Sequence, residues 1–456
     1  MRVATAVLMV FLAMAAALGA QPGGQGVAER DRHDAGRRPY DPLRGVDANG
    51  RIPSDGKPTD LPHPERWRYI PEGRLMPGSL LERFLVSSFI SPIVFHEEDV
   101  GTGGGVAITD VDFRNQRRQE FASMVFTHTT EGQQNYTMVG RRWPNHREVD
   151  GGGVVFDERT FVHVRGGYSK TLTRRFFGLG DTTRASDETS YTAEVSEVSV
   201  LHQWAVREAA DDLLLHWGAS LEHDNLAGGG VTSLPSADAV HPELFRRSDD
   251  RDLMWATFGA AWDTRDSQHN PYRGWSVGAR TDAALAQTGG DIGAVSTLSA
   301  SKVFSVAPLL HDGGDGREEH PPTDVLALGA FVVSSSGELP FYALPSLGGS
   351  HTLRGFVGNR FTGEHAWHAA AEYRLWAVPR GFSITRSLRV ERLGLAAFYE
   401  LGAVTAGGLD DLGDARVQQS YGVGFRMSME RNALFRIDLG WAPTAFNFTI
   451  GYGLSF

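Results

Sequence analysis

The residue groups with the clearest chemical potential are few. Gly274-Trp275-Ser276-Val277-Gly278 has the Gly-x-Ser-x-Gly spacing of a serine nucleophile, which needs a strand-to-helix elbow and a partnered histidine. Trp275, Val277 and Ala279 instead alternate with Ser276, Gly278 and Arg280, so a plain strand is expected there and no catalytic residue is assigned. His96-Glu97-Glu98-Asp99, and His311-Asp312 with Asp315, Glu318, Glu319 and His320, offer imidazole and hard oxygen donors to a divalent cation. Neither has a metal-loop spacing, so solvated acidic loops are expected, with no metal and no cofactor. The most specific signal is Gly348-Gly349-Ser350-His351-Thr352-Leu353-Arg354-Gly355-Phe356, followed by a carboxylate at Glu400 in a later alternating segment.

Composition limits what these residues can serve. The 456 residues include no cysteine, which removes disulfides, thiolate metal sites and thiol catalysis. Formal net charge is -11, with 55 acidic against 44 basic side chains, so nucleic acid is not an expected partner. Glycine, at 54 residues, is about 12% against a usual value of about 7%, which suits a protein of many strands and turns.

Only one stretch is apolar enough to cross a bilayer as a helix, Val3 to Ala20, preceded by Arg2 and ending in small residues. It reads as a secretory signal peptide over 1–20. Nine of the 21 prolines then fall between Pro22 and Pro77, among few aliphatic residues, so 21–78 is expected to be a disordered periplasmic tether. Ser79-Leu80-Leu81-Glu82 has capping-box spacing and opens a short amphipathic helix over 79–90.

The remainder, 91–456, has the alternation of an all-β protein. Phe446, Phe448, Ile450, Tyr452, Leu454 and Phe456 share one parity, and Asn447, Thr449, Gly451, Gly453 and Ser455 the other. Phe435, Ile437, Leu439 and Trp441 likewise oppose Arg436, Asp438 and Gly440. Sixteen such segments begin near 91, 103, 119, 134, 153, 190, 213, 252, 274, 294, 323, 365, 393, 415, 433 and 446. Each strand with its connection takes about 23 residues, as in an even-stranded outer-membrane barrel. The predicted fold is an all-β transmembrane antiparallel β-barrel of about 16 strands, with its N-terminus in the periplasm and its longer loops outside. Among the connections on the periplasmic side, 308–322 is too long for this rule, so it is either an insertion or a sign that one strand is misplaced.

At Arg354-Gly355-Phe356 the chain resembles the bacterial surface antigen superfamily, the BamA/TamA-like outer-membrane assembly factors and two-partner secretion transporters. In that family the sixth external loop folds into the lumen with an Arg-Gly-Phe/Tyr tip. The resemblance extends to Phe398-Tyr399-Glu400-Leu401-Gly402, where Glu400 replaces the usual aspartate. It also takes in Phe176-Phe177-Gly178-Leu179-Gly180, Asp263-Thr264-Arg265-Asp266, Pro271-Tyr272-Arg273-Gly274, Glu372-Tyr373-Arg374 and the terminal Phe456. It implies protein insertion or translocation through a seam between first and last strands, in the bacterial outer membrane. The implied partners are outer-membrane lipid, lipopolysaccharide and another assembly subunit. The stretch 21–90 is too short and proline-rich for the family's polypeptide-transport-associated repeats.

The contact that the resemblance implies is also physically reasonable, although Leu353-Arg354-Gly355-Phe356 by itself fits an ordinary surface hairpin better. Parity places Phe398, Glu400 and Gly402 on the lumen face, so a carboxylate points into a confined interior and needs a partner. Arg354 supplies a planar donor, Gly355 a close backbone approach and Gly402 room for the loop. The alternative is a surface hairpin whose arginine faces water. Lumen-facing Arg280, Asp282, Glu372, Arg374, Arg426, Arg436 and Asp438 are expected to form charge ladders. At the seam, Pro92 at the start of the first strand and Gly451 and Gly453 in the last would weaken pairing, with Tyr452 and Phe456 forming the C-terminal assembly signal. A plugged transport pore or structural barrel is the second reading.

Overall fold

The structure, a computed structural model, describes residues 51, 57–70, 88–97, 99–110, 120–149, 154–314, 318, 321–383, 389–429 and 433–455. Sixteen antiparallel strands wind into a barrel. The first four are β1 (Ser88–Glu97), β2 (Gly101–Asp110), β3 (Glu120–Thr129) and β4 (Gln134–Arg142). Then come β5 (Phe161–Phe176), β6 (Thr189–Ala205), β7 (Leu213–Gly228) and β8 (Arg251–Asp263). The third quarter is β9 (Gly274–Gln287), β10 (Gly293–Val306), β11 (Asp324–Gly337) and β12 (His365–Val378). Last are β13 (Arg389–Thr405), β14 (Gln418–Met429), β15 (Ala433–Ala442) and β16 (Ala445–Tyr452).

Backbone ladders join each strand to its successor, from β1–β2 through to β15–β16. Among the described residues no ladder joins β16 to β1. Strand length varies around the wall: β5 to β7 have 16 or 17 residues, whereas β16 has eight and β1 ten. β16 is the shortest of the sixteen, and β1 to β4 have nine or ten residues each.

Alternation makes the barrel an inside-out core. Val94, Val198, Leu221, Phe258, Leu298 and Ile450 point outward and are exposed, as expected of side chains whose apolar environment is lipid. Trp204, Trp217, Trp262 and Trp275 are also exposed. They all lie near the barrel end at which the chain enters β1 and leaves β16, here the terminal end, and form an interfacial aromatic girdle there. No helix among the described residues is long and apolar enough to cross a membrane.

Several expectations need correction. The segment near 153 is no barrel strand: Val154–Asp157 lies in a separate three-stranded sheet with His146–Glu148 and Trp67–Ile70, and the wall resumes at Phe161. Three buried apolar residues, Val154, Val155 and Phe156, give an apolar run without the length of a spanning strand. Residues 57–70, assigned by composition to a disordered tether, carry a 3-10 turn (Pro64–Arg66) and that edge strand. Their partner sits some 85 positions away, where local composition cannot register it. Residues 88–90, expected to end a helix, begin β1, which puts Pro92 inside the strand, opposite Val106, rather than at its start. The rest of the expected helix, the signal peptide and Phe456 lie outside the described residues. The 307–323 connection is a true insertion at the terminal end, since β10 and β11 flank it with full-length strands.

The Gly-x-Ser-x-Gly stretch opens β9, and Ser276 faces Asp263 and Ser301 in the ladders, with no helix following. Among the described residues no cluster of three metal-ligating side chains occurs. His96 instead contacts the Thr102 hydroxyl at 3.0 Å.

Candidate functional site

The connection between β11 and β12 folds back into the lumen as a finger. Its base is a two-stranded ribbon in which Ser346 faces Thr362 and Leu347 faces Phe361. The turns beyond the base require left-handed backbone at Gly348 and Gly349, with φ of 115° and 101°, which glycine adopts without strain. Leu347, Leu353, Phe356 and Phe361 are buried together with Val333, Ala366 and Val404 of the wall, so the finger carries its own apolar core into the barrel. Gly180 N donates to Thr362 O at 2.7 Å, and Arg360 donates to the Thr183 carbonyl at 3.0 Å while stacking 4.5 Å from the Phe177 and Phe361 rings. The Phe176–Gly180 stretch thus anchors the base of the finger.

At the tip, Arg354 is fully buried. Its backbone N–H donates to Glu400 Oε2 at 2.6 Å and its Nε donates to Glu400 Oε1 at 2.9 Å. Nη1 reaches Glu372 at 2.8 Å and Asp438 at 3.4 Å. The guanidinium also lies 3.5 Å over the Phe398 ring. The extra methylene of glutamate is accommodated by sharing: Glu400 takes the backbone and the inner nitrogen, and Glu372 takes the outer one. The Ser420 hydroxyl donates to Glu400 Oε2 at 2.7 Å.

The other lumen charges close around this centre instead of forming independent ladders. Arg374 reaches Glu372 at 2.7 Å, and Arg426 bridges Glu372 at 3.1 Å and Asp438 at 2.7 Å. Arg436 binds Asp438 at 2.8 Å and the Ser350 carbonyl at 2.6 Å. These seven charged groups are at most 7% exposed along their side chains, so each depends on its partners for the solvation it has lost. Arg280 and Asp282 lie apart, paired along β9 at 2.7 Å.

Glycines set how closely the finger approaches. A Cβ on Gly355 would stand 2.6 Å from the Trp441 carbonyl group, and one on Gly440 would stand 2.4 Å from Arg354 O. Gly402 lies beneath Leu347 of the finger, where a Cβ would come within 2.8 Å of its methyl. The tip therefore rests directly on the β15 backbone. From β16, the Asn447 side-chain amide donates to Phe356 O at 2.8 Å and Arg354 O at 3.2 Å. The sequence shows only the parity of Asn447, because an amide that reads two carbonyls of a distant loop leaves no local pattern.

Of the remaining seam residues, Gly451 lies against the site, where a Cβ would stand 2.9 Å from Arg436 Nε, whereas Pro92, Tyr452 and Gly453 are outside it. Pro92 is exposed in β1, Gly451 faces Arg436 across the β15–β16 ladder, and Tyr452 is exposed. Gly453, with φ of 78°, ends β16 and donates to Leu434 O at 2.7 Å. After this turn Leu454, expected on the lipid face, packs inward beside Tyr272, Val303 and Trp376.

Sixteen lipid-facing strands around a buried arginine finger define a transmembrane barrel of the outer-membrane type. The chain belongs to the Omp85 superfamily: the Omp85 superfamily domain matches residues 165–456, and barrels of this family are outer-membrane proteins. Among solved structures it is similar to BamA from Haemophilus ducreyi lacking POTRA domains 1-3, at 14% identity over 81% of this chain and 70% of that one, TM-score 0.47. It is also similar to CdiB from Acinetobacter baumannii (12% identity, 80% and 59% coverage, TM-score 0.44) and CdiB from Escherichia coli (11%, 83% and 63%, TM-score 0.50). The chain thus spans about three fifths of the two CdiB chains. No curated protein matches it.

Proposed function

We propose that the protein inserts or translocates polypeptides at the outer membrane through the seam between β1 and β16, with the Arg354 finger holding the wall beside that seam in register. The contact from Asn447 to the carbonyls of Arg354 and Phe356 carries the reading, because it ties the finger to the last strand itself. One further feature supports it: β16, with eight residues, is the shortest of the sixteen strands. The signal peptide, a periplasmic N-terminus, the C-terminal assembly signal and work alongside another assembly subunit belong to the same proposal, as do contacts with lipid and lipopolysaccharide.

The test is reconstitution of the full chain in liposomes with a urea-unfolded outer-membrane barrel as client. Faster client folding than in empty liposomes, lost in Arg354→Ala, is the expected result. A steady wide conductance without any acceleration would replace this reading with a transport pore plugged by its loop.

A further inference from the structure

Chain from before β1 is bound at the terminal end of the barrel. Trp67–Ile70 pairs antiparallel with Val154–Asp157, with Trp67 opposite Asp157 and Tyr69 opposite Val155. The hairpin that receives it, His146–Glu148 with Val154–Asp157, belongs to the β4–β5 connection. Leu61, Trp67, Val155 and Ala210 are buried as one cluster, which brings in the β6–β7 connection. Arg66 donates to Ala210 O at 2.8 Å and pairs with Asp212 of the same connection. Arg68 pairs with Glu158 at 2.9 Å and donates to Ser267 Oγ of the β8–β9 connection at 2.9 Å. Farther round the barrel, Arg51 meets Glu318 of the β10–β11 connection at 3.5 Å. Chain preceding the barrel is therefore fixed to connections spread from β4 to β11, far apart around a sixteen-strand wall.

We propose that residues 57–70 form a strap that bars the terminal mouth of the lumen and that the mouth opens when Trp67–Ile70 leaves the hairpin. The bond suits a reversible closure. Its sheet has three strands of only three or four residues, at the short end of strand length, so the strap depends on buried Leu61 and Trp67 and on charges paired with the connections. Arg159, 1% exposed, keeps the receiving side in place without the strap: it donates to the carbonyls of Asp211 and Asp263. The hairpin remains part of the barrel while the strap is the removable part. This inference stands apart from the seam reading, since it concerns the axial path.

The test is current through the full-length protein in planar bilayers. Trp67→Ala combined with Arg68→Glu should raise open probability roughly tenfold or more, the response of a two-state contact that loses a buried aromatic and a buried ion pair. The chain has no cysteine, so Tyr69→Cys with Val155→Cys supplies a second arm. Oxidation should hold the current at its lowest level and reduction should restore parental openings. Heat-modifiable gel mobility checks that each variant is folded. Folded release variants that conduct like the parent, or an oxidised pair that opens as freely as the reduced one, would overturn the strap.

Discussion

At Arg354 the balance of energies is decided by burial. The guanidinium, Glu372 and Glu400 have no exposed side-chain surface, so removing one partner strands a desolvated charge. Arg354→Ala and Glu400→Ala are each expected to cost about 3–5 kcal/mol, seen as a lower unfolding temperature by heat-modifiable mobility; parental melting of both would rule out the pairing. Gly355→Ala tests shape without charge. Its Cβ would meet the Trp441 backbone at 2.6 Å, for an expected loss of about 1–3 kcal/mol, with the finger becoming sensitive to protease at Arg354. The Arg354–Glu400 pair was legible in the sequence through the family resemblance together with a lumen-face carboxylate that demands a partner; the loop residues alone fit a surface hairpin as well. The sharing of Arg354 among three carboxylates was not, because parity gives the face of a side chain but not its height along the barrel.

The elements show where local pattern holds and where it fails. Fifteen of the sixteen strand starts could be placed from alternation, since a spanning strand must keep its period along the lipid-contacting length. The exception, near 153, is a short buried strand whose partners come from residues 67–70 and 146–148. The strap segment eluded composition for the same reason. Asn447 marks the coupling between elements: Asn447→Ala would remove both hydrogen bonds from β16 to the finger, at about 1–2 kcal/mol. In a double-mutant cycle with Gly355→Ala its effect should be less than additive, because both act on the seating of the same tip. Additive melting shifts would place Asn447 outside the finger's support.

Across the whole molecule, the lumen is occupied by the finger on the β12–β16 side, and the strap is bound at the terminal end of the barrel. The strap should be acid-labile. Burial alone would raise the Glu158 carboxyl, but the Arg68 guanidinium, aided by His269, outweighs it and holds the group well below its usual 4.5. Its contribution is therefore full above about pH 4.5 and falls as the pH drops toward the lowered folded value. Limited proteolysis at Arg66 and Arg68 should become fast only in acid, and Glu158→Gln should bring that cleavage to neutral pH. Equal cleavage of parent and variant across the range would remove Glu158 from the closure.

On the function proposed above, the protein works at the seam between β1 and β16. The most direct measurement is covalent capture of that seam, with one introduced cysteine in each strand of a chain that has none of its own, followed by client folding in liposomes before and after reduction. The crosslinked barrel is expected to stay folded, lose its acceleration of client folding and regain it on reduction. Full activity with the seam crosslinked would contradict the proposed function.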